Sequence, residues 1–191
     1  MLIVTVPHAK SNQTEGTGFD AGAIEFIGHL ETALDDKNVK YIIHVGESHR
    51  ELVDLNRKES YSTDYHQELR TLLKHATLHI DLHSFPFVAE DAEDEESITS
   101  LGDDLRSWSV HDLVILETDG VSNREFINTV LDEMETEFDM SVVDSTVDNY
   151  ITVVASILFK VPSVLIEVND QSVEAFPLMA SALARAVADF A

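Results

Sequence analysis

The chain has no cysteine among its 191 residues, which removes disulfides, thiol nucleophiles and thiolate metal sites together. Any zinc must therefore be held by His, Asp or Glu, a restriction that favours a catalytic metal over a structural one. No run approaches the roughly 18 to 20 apolar residues needed to span a bilayer. Met1 to Val6 carries neither a basic leader nor a cleavage site, and together these absences predict a soluble, cytoplasmic protein with no membrane partner. Basic residues are scarce: 12 Lys and Arg face 36 Asp and Glu, for a formal net charge of −24. Such a field repels phosphates, which excludes nucleic acid as a partner. The acidity fits a high-salt setting, where screening relieves self-repulsion, or simply a soluble acidic protein. It also makes each of the six arginines informative, because an anionic substrate would need local guanidinium groups to overcome the global repulsion.

What is present is a hydrophobic content of 44%, enough to bury the core of one domain over residues 1 to 191. Short β-branched runs at Leu2–Val6, Val39–Val45, Thr77–Leu82, Leu113–Glu117 and Val164–Val168 read as buried strands. Helical patterns lie between them: from Asp20 to about Leu34, from Ser62 or Thr63 to about His75, at about Val147–Phe159, and at Ser172–Phe190. Ser122 to Glu125 has the form of a capping box ahead of Phe126, Ile127, Val130 and Leu131. The alternation predicts a layered α/β domain with a mainly parallel sheet. The acidic run Glu90 to Glu96 cannot pack and reads as a solvated loop over about 89–100.

In α/β sheets functional groups collect where strands end. His8 follows the first strand, His83 the third, and Glu167 lies near the end of the last. His79 and His83 are four apart, which on a strand means roughly 13 Å, so they cannot share one ion. Asp81 falls on the same side as His83 and reads either as the carboxylate orienting that imidazole or as a buried structural Asp. Arg50 to Arg57 places two guanidinium groups and the Asn56 amide in one short span, suited to carboxylate recognition and to oxyanion stabilisation; a surface salt-bridge network with Glu51 and Asp54 explains the same spacing. His29, His66 and His75 are expected to be solvated or boundary residues on helices, His111 has no evident partner, and Trp108 reads as a partly buried packing residue.

Four motifs in order resemble the N-formylglutamate amidohydrolase family and, through it, the zinc carboxypeptidases and aspartoacylases. Val6-Pro7-His8-Ala9 is similar to the first ligand motif, and Arg50 with Asp54-Leu55-Asn56-Arg57 to the arginine and Asp-Leu-Asn-Arg motif. Asp81-Leu82-His83-Ser84 is similar to the second histidine motif, and Val164 to Asn169 to the strand carrying the catalytic glutamate. The resemblance implies a three-layer α/β/α sandwich of phosphorylase/hydrolase-like type with a mixed, mainly parallel sheet. It implies Zn2+ held by His8, His83 and a carboxylate, with Glu167 as general base. Arg50 would polarise the scissile carbonyl, while Asn56 and Arg57 would bind the carboxylate of a small amino-acid-derived substrate. For the acidic ligand Asp20 matches best, with Glu15 and Glu47 as alternatives, since Ser11 stands where carboxypeptidases carry glutamate. The family's Gly-rich segment is replaced by Asp144 to Asn149, which leaves room for a peptide or γ-glutamyl substrate. A non-catalytic member that binds a metal or a carboxylate is the reading from outside the enzymes.

Overall fold

A computed structural model describes residues 1–10, 20–50, 52–85, 108, 110–145 and 150–190. Ser11, Glu15, Glu51, the acidic run at 90–96 and the expected helix start at Val147 lie outside the described residues. Among the described residues six strands form one sheet: β1 (Leu2–Val6), β2 (Tyr41–Val45), β3 (Leu78–Phe85), β4 (Leu113–Glu117), β5 (Met140–Asp144) and β6 (Ser163–Asn169), in the order β2-β1-β3-β6-β4-β5. β1, β2, β3 and β6 run parallel, β4 pairs antiparallel with β6, and β5 runs parallel to β4. β1 and β3 are buried along their whole lengths, as strands covered on both faces must be.

Helices α1 (Ala21–Asp36), α3 (Arg124–Met134) and α5 (Phe176–Phe190) pack on one face. α1 turns Phe26, Ile27, Leu30 and Leu34 inward at helical spacing, into a core shared with Leu2 and Val4 of β1, with Leu78, Ile80 and Leu82 of β3, and with α5. Phe26 meets Phe176 edge to face at 5.4 Å, and burying each such ring contributes about 2 to 3 kcal/mol. The opposite face carries α2 (Asp64–Leu73), a 3-10 turn at Lys58–Ser62, and α4 (Tyr150–Val153), which continues as a π-helical turn over Val154–Leu158. Ile3, Leu69, Leu73, Ile151 and Val154 form the core on this side. Helices on both faces of a mixed, mostly parallel sheet make the three-layer α/β/α sandwich that the resemblance implied. Among the described residues no helix is long and apolar enough to cross a membrane.

Differences from expectation are local. β5 went unread because every residue from Met140 to Val143 is half-buried on an edge strand, so no alternation marks it. α3 is capped by Asn123, whose Oδ1 accepts from Phe126 N at 2.8 Å, while Ser122 Oγ accepts from Thr118 N at 2.9 Å instead. Trp108 is buried against Phe85, a packing role as expected.

The connections place the site. β1 leads through α1, on one face, to β2; β2 leads through α2, on the other face, to β3 on the far side of β1. The chain therefore changes direction between β1 and β3, the kind of crevice where open α/β sheets hold ligands. His8 follows β1 and His83 lies near the C-terminal end of β3, on the two sides of that crevice.

Candidate metal centre and active site

His8, Asp20 and His83 come together and are nearly inaccessible, at 3%, 4% and 5% exposure. One ligand atom from each lies within 4.8 Å of the other two. Asp20 stands at the N-cap position of α1, but its side chain makes no capping hydrogen bond. Its Oδ2 instead lies 2.8 Å from His83 Nδ1 and 3.4 Å from His8 Nδ1. Asp170, just after β6, takes over part of the cap by accepting from Gly22 N at 2.9 Å. Glu47, the alternative acidic residue that is described, is exposed and outside this group.

The far side of each imidazole faces a second carboxylate. His8 Nε2 is 2.9 Å from Asp54 Oδ1, and His83 Nε2 is 3.4 Å from Asp81 Oδ2. A carboxylate only accepts, so His8 donates from Nε2 to Asp54, and where that is the ring's one proton Nδ1 keeps a lone pair. Among the described residues that Nδ1 is buried with no hydrogen-bond partner, 3.4 Å from a carboxylate oxygen. Two electron-rich atoms facing each other in a buried space fit a cation between them. Nitrogen and oxygen donors with carboxylates behind the imidazoles are the donor chemistry of a zinc site.

The carboxyls of Asp20 and Asp54 are held in their ionised forms. Burial pushes Asp20 up, but contacts with His8 and His83 outweigh it and hold the carboxyl well below its usual range. Burial likewise opposes ionisation of Asp54, which His8 and Arg50 hold well below the usual range. Burial pushes His83 down, whereas Asp81 and Asp20 raise it well above an ordinary histidine. Glu167, the register partner of His83 across β3 and β6, is partly buried. Desolvation pushes its carboxyl up to about 8, with His83 and Arg50 opposing and Asp20 and Asp81 adding to the rise.

Arg50 and Arg57 both reach Asp54 Oδ2, with Nε at 3.7 Å and 3.6 Å. The Asp54 part of the salt-bridge network read from their spacing is therefore present, and through Asp54 it is joined to His8. Arg57 keeps 44% of its side chain exposed and Arg50 27%. Asn56 is buried: its Oδ1 accepts from Ile151 N at 3.2 Å, and its Nδ2 lies 3.3 Å from Asp81 Oδ2 and 3.2 Å from His83 Nε2. No sequence pattern marks Asp54 as the partner of His8, or Asn56 as the link between α4 and His83. Both contacts depend on how the segment after β2 folds back.

Other histidines divide differently than expected. His66 is fully buried rather than at the boundary, with Nε2 bonded to Leu55 O and Ser60 Oγ at 2.8 Å and 2.9 Å. His111, with no partner evident in the sequence, has Nδ1 2.8 Å from Asp139 Oδ1. His79 lies on the strand, away from the metal-type group, between Thr5 and Ser163.

No protein-family model and no curated protein sequence matches this chain. Solved structures do match. An N-formylglutamate amidohydrolase from Ralstonia eutropha JMP134 superposes with a TM-score of 0.57 at 14% identity, over 99% of this chain and 93% of that one. The fold is that of an N-formylglutamate amidohydrolase. A gene product of Agrobacterium tumefaciens gives a TM-score of 0.59 at 12% identity, over 99% of this chain and 88% of its own. A succinylglutamate desuccinalase from Vibrio parahaemolyticus gives 0.52 at 12% identity, over 98% of this chain but 56% of its own. The shared fold thus spans almost all of this chain, and it agrees with the resemblance carried by the four motifs.

Proposed function

We propose that this chain is a zinc-dependent amidohydrolase that cleaves an N-formyl or N-acyl amino acid, of N-formylglutamate type. The observation that carries the reading is the convergence of His8 Nδ1 and His83 Nδ1 on Asp20 Oδ2, each ring backed by its own carboxylate. His8, Asp20 and His83 would hold the metal, which when bound supplies a Lewis acid that lowers the pKa of water towards about 7 and polarises a carbonyl. Burial pushes Glu167 up to about 8, and a positive charge held by His8, Asp20 and His83 would favour its ionised form. Glu167 then takes a proton from the attacking water as it adds to the amide carbonyl, and delivers that proton to the leaving nitrogen. Arg50 stabilises the negative charge that develops on the carbonyl oxygen. Arg57, with its side chain partly open to solvent, pairs with the substrate carboxylate, and Asn56 supports that subsite from the adjacent position. The products are a carboxylic acid, formate in the simplest case, and a free amino acid.

Zinc content measured together with a hydrolysis screen tests this. The expected result is about one zinc per chain and metal-dependent release of amino acid from N-formyl or N-acyl substrates. Hydrolysis confined to peptides or γ-glutamyl compounds would move the substrate assignment, and a protein that binds no zinc and hydrolyses none of them would sink the reading.

A further inference from the structure

Beneath the site, three strands carry a row of buried polar side chains, of which the proposed chemistry uses only Asp81. Thr5 on β1, His79 and Asp81 on β3, and Ser163 on β6 are all fully buried. Ser163 Oγ lies 2.6 Å from His79 Nδ1, and His79 Nε2 lies 3.0 Å from Thr5 Oγ1. Thr5 Oγ1 donates to Asp81 Oδ1 over 2.7 Å, and Asp81 Oδ2 is 3.4 Å from His83 Nε2. Apolar side chains would fill such positions without any desolvation cost, as Ile3 and Leu165 do on two of the same strands.

The direction of these bonds is forced. Thr5 has one hydroxyl proton, and it goes to the carboxylate, which accepts only. Its oxygen must then receive the Nε2–H of His79. Burial pushes His79 down to about 4, so the ring is neutral, carries that single proton and accepts from Ser163 at Nδ1. The line therefore runs one way, from Ser163 to Asp81, and fills Asp81 Oδ1. Asp81 Oδ2 is left facing Asn56 Nδ2 at 3.3 Å and His83 Nε2 at 3.4 Å; with a metal in place of the proton on His83 Nδ1, opposite Asp20, the remaining ring proton on Nε2 would have Asp81 Oδ2 as its acceptor.

We propose that Ser163, His79 and Thr5 are positioning residues for the metal centre, pinning Asp81 so that it holds His83 in the tautomer whose Nδ1 can ligate. The inference rests on the metal-site reading above. It assigns to His79, roughly 13 Å along the strand from His83, a part in metal affinity without a part in coordination.

Thr5→Val keeps the side-chain shape and removes the hydroxyl, and Thr5→Ser is the conservative control. Zinc affinity from chelator competition and the visible spectrum of the Co2+-substituted protein are the readouts. Thr5→Val is expected to weaken zinc about tenfold or more and to alter the cobalt bands, with Thr5→Ser restoring both. Long-range 1H–15N spectra of the unsubstituted protein read the tautomers directly, so the test stands even where Thr5→Val fails to fold. They should show His79 protonated at Nε2, and His83 protonated at Nε2 in the zinc form. Unchanged zinc affinity and cobalt spectrum in folded Thr5→Val, or a His79 protonated at Nδ1, overturns the inference and leaves the metal site standing. An unsubstituted protein that takes up neither zinc nor cobalt overturns both.

Discussion

Glu167 stands beside His83 in the register of β3 and β6 but is not among the three residues that could hold a metal, and this separates its role from that of the ligands. Glu167→Gln keeps the shape and loses the ability to accept a proton. Turnover is expected to fall by a factor of about 100 to 10,000 with zinc content unchanged; steady-state kinetics beside metal analysis checks this, and full activity in the variant would remove Glu167 as the base. His79 gives a second residue-scale test, this time of stability. Burial pushes it down to about 4 in the folded chain, against 6.5 for an ordinary histidine. Between those values the unfolded chain binds the proton and the folded one does not. Its contribution is therefore complete above 6.5 and is lost as pH falls, by about 3 kcal/mol between pH 7 and pH 4. Urea unfolding at the two pH values should show a smaller acid loss in His79→Gln than in the unsubstituted protein, and equal losses would contradict the buried neutral ring. His8, His83 and Glu167 were legible as candidates because each sits at or near a strand end, a position that sequence patterns reveal. The partners Asp54 and Asn56 carried no such signal, because what they touch lies 46 and 27 residues away.

At the scale of elements, legibility followed burial. β1 and β4 could be bounded from the sequence because their β-branched runs are buried on both faces, whereas the edge strand β5 offered only half-buried or exposed residues. The crossing between β1 and β3 could not be read, since it depends on which face each helix covers. The turn after β2 is where this geometry meets the site. Gly46 N donates to Val6 O at 2.8 Å, and a Cβ on Gly46 would collide with the Pro7 carbonyl oxygen and approach Leu55 Cδ1 to 2.8 Å. Backbone cannot yield as a flexible side chain does, so Gly46→Ala must push Pro7, and with it His8, out of place. The variant is expected to lose about 1 to 3 kcal/mol of stability and to bind zinc more weakly. Thermal unfolding and chelator competition measure the two effects. Loss of stability with zinc affinity unchanged would show that the β1 end tolerates displacement without moving His8.

For the whole molecule the governing quantity is charge. Even if every Lys and Arg were paired one to one, 36 less 12 leaves 24 acidic residues without such a partner. Their mutual repulsion acts over distances comparable to the Debye length, which shrinks from about 10 Å at 0.1 M salt to about 3 Å at 1 M. The midpoint of thermal unfolding should therefore climb with KCl over that range, and a flat response would argue against a fold adapted to high salt. The same field acts on the proposed substrate, an anion that must approach a strongly negative protein. Salt weakens that long-range repulsion, while the contact between Arg57 and a bound carboxylate, made at hydrogen-bonding distance, is shorter than the screening length at moderate salt and is weakened less. The balance predicts a KM for N-acyl amino acids that falls as KCl rises from about 0.05 to 0.5 M, with little change in kcat. A KM that instead rises throughout would mean that the local guanidinium groups, rather than the global charge, dominate the approach of substrate.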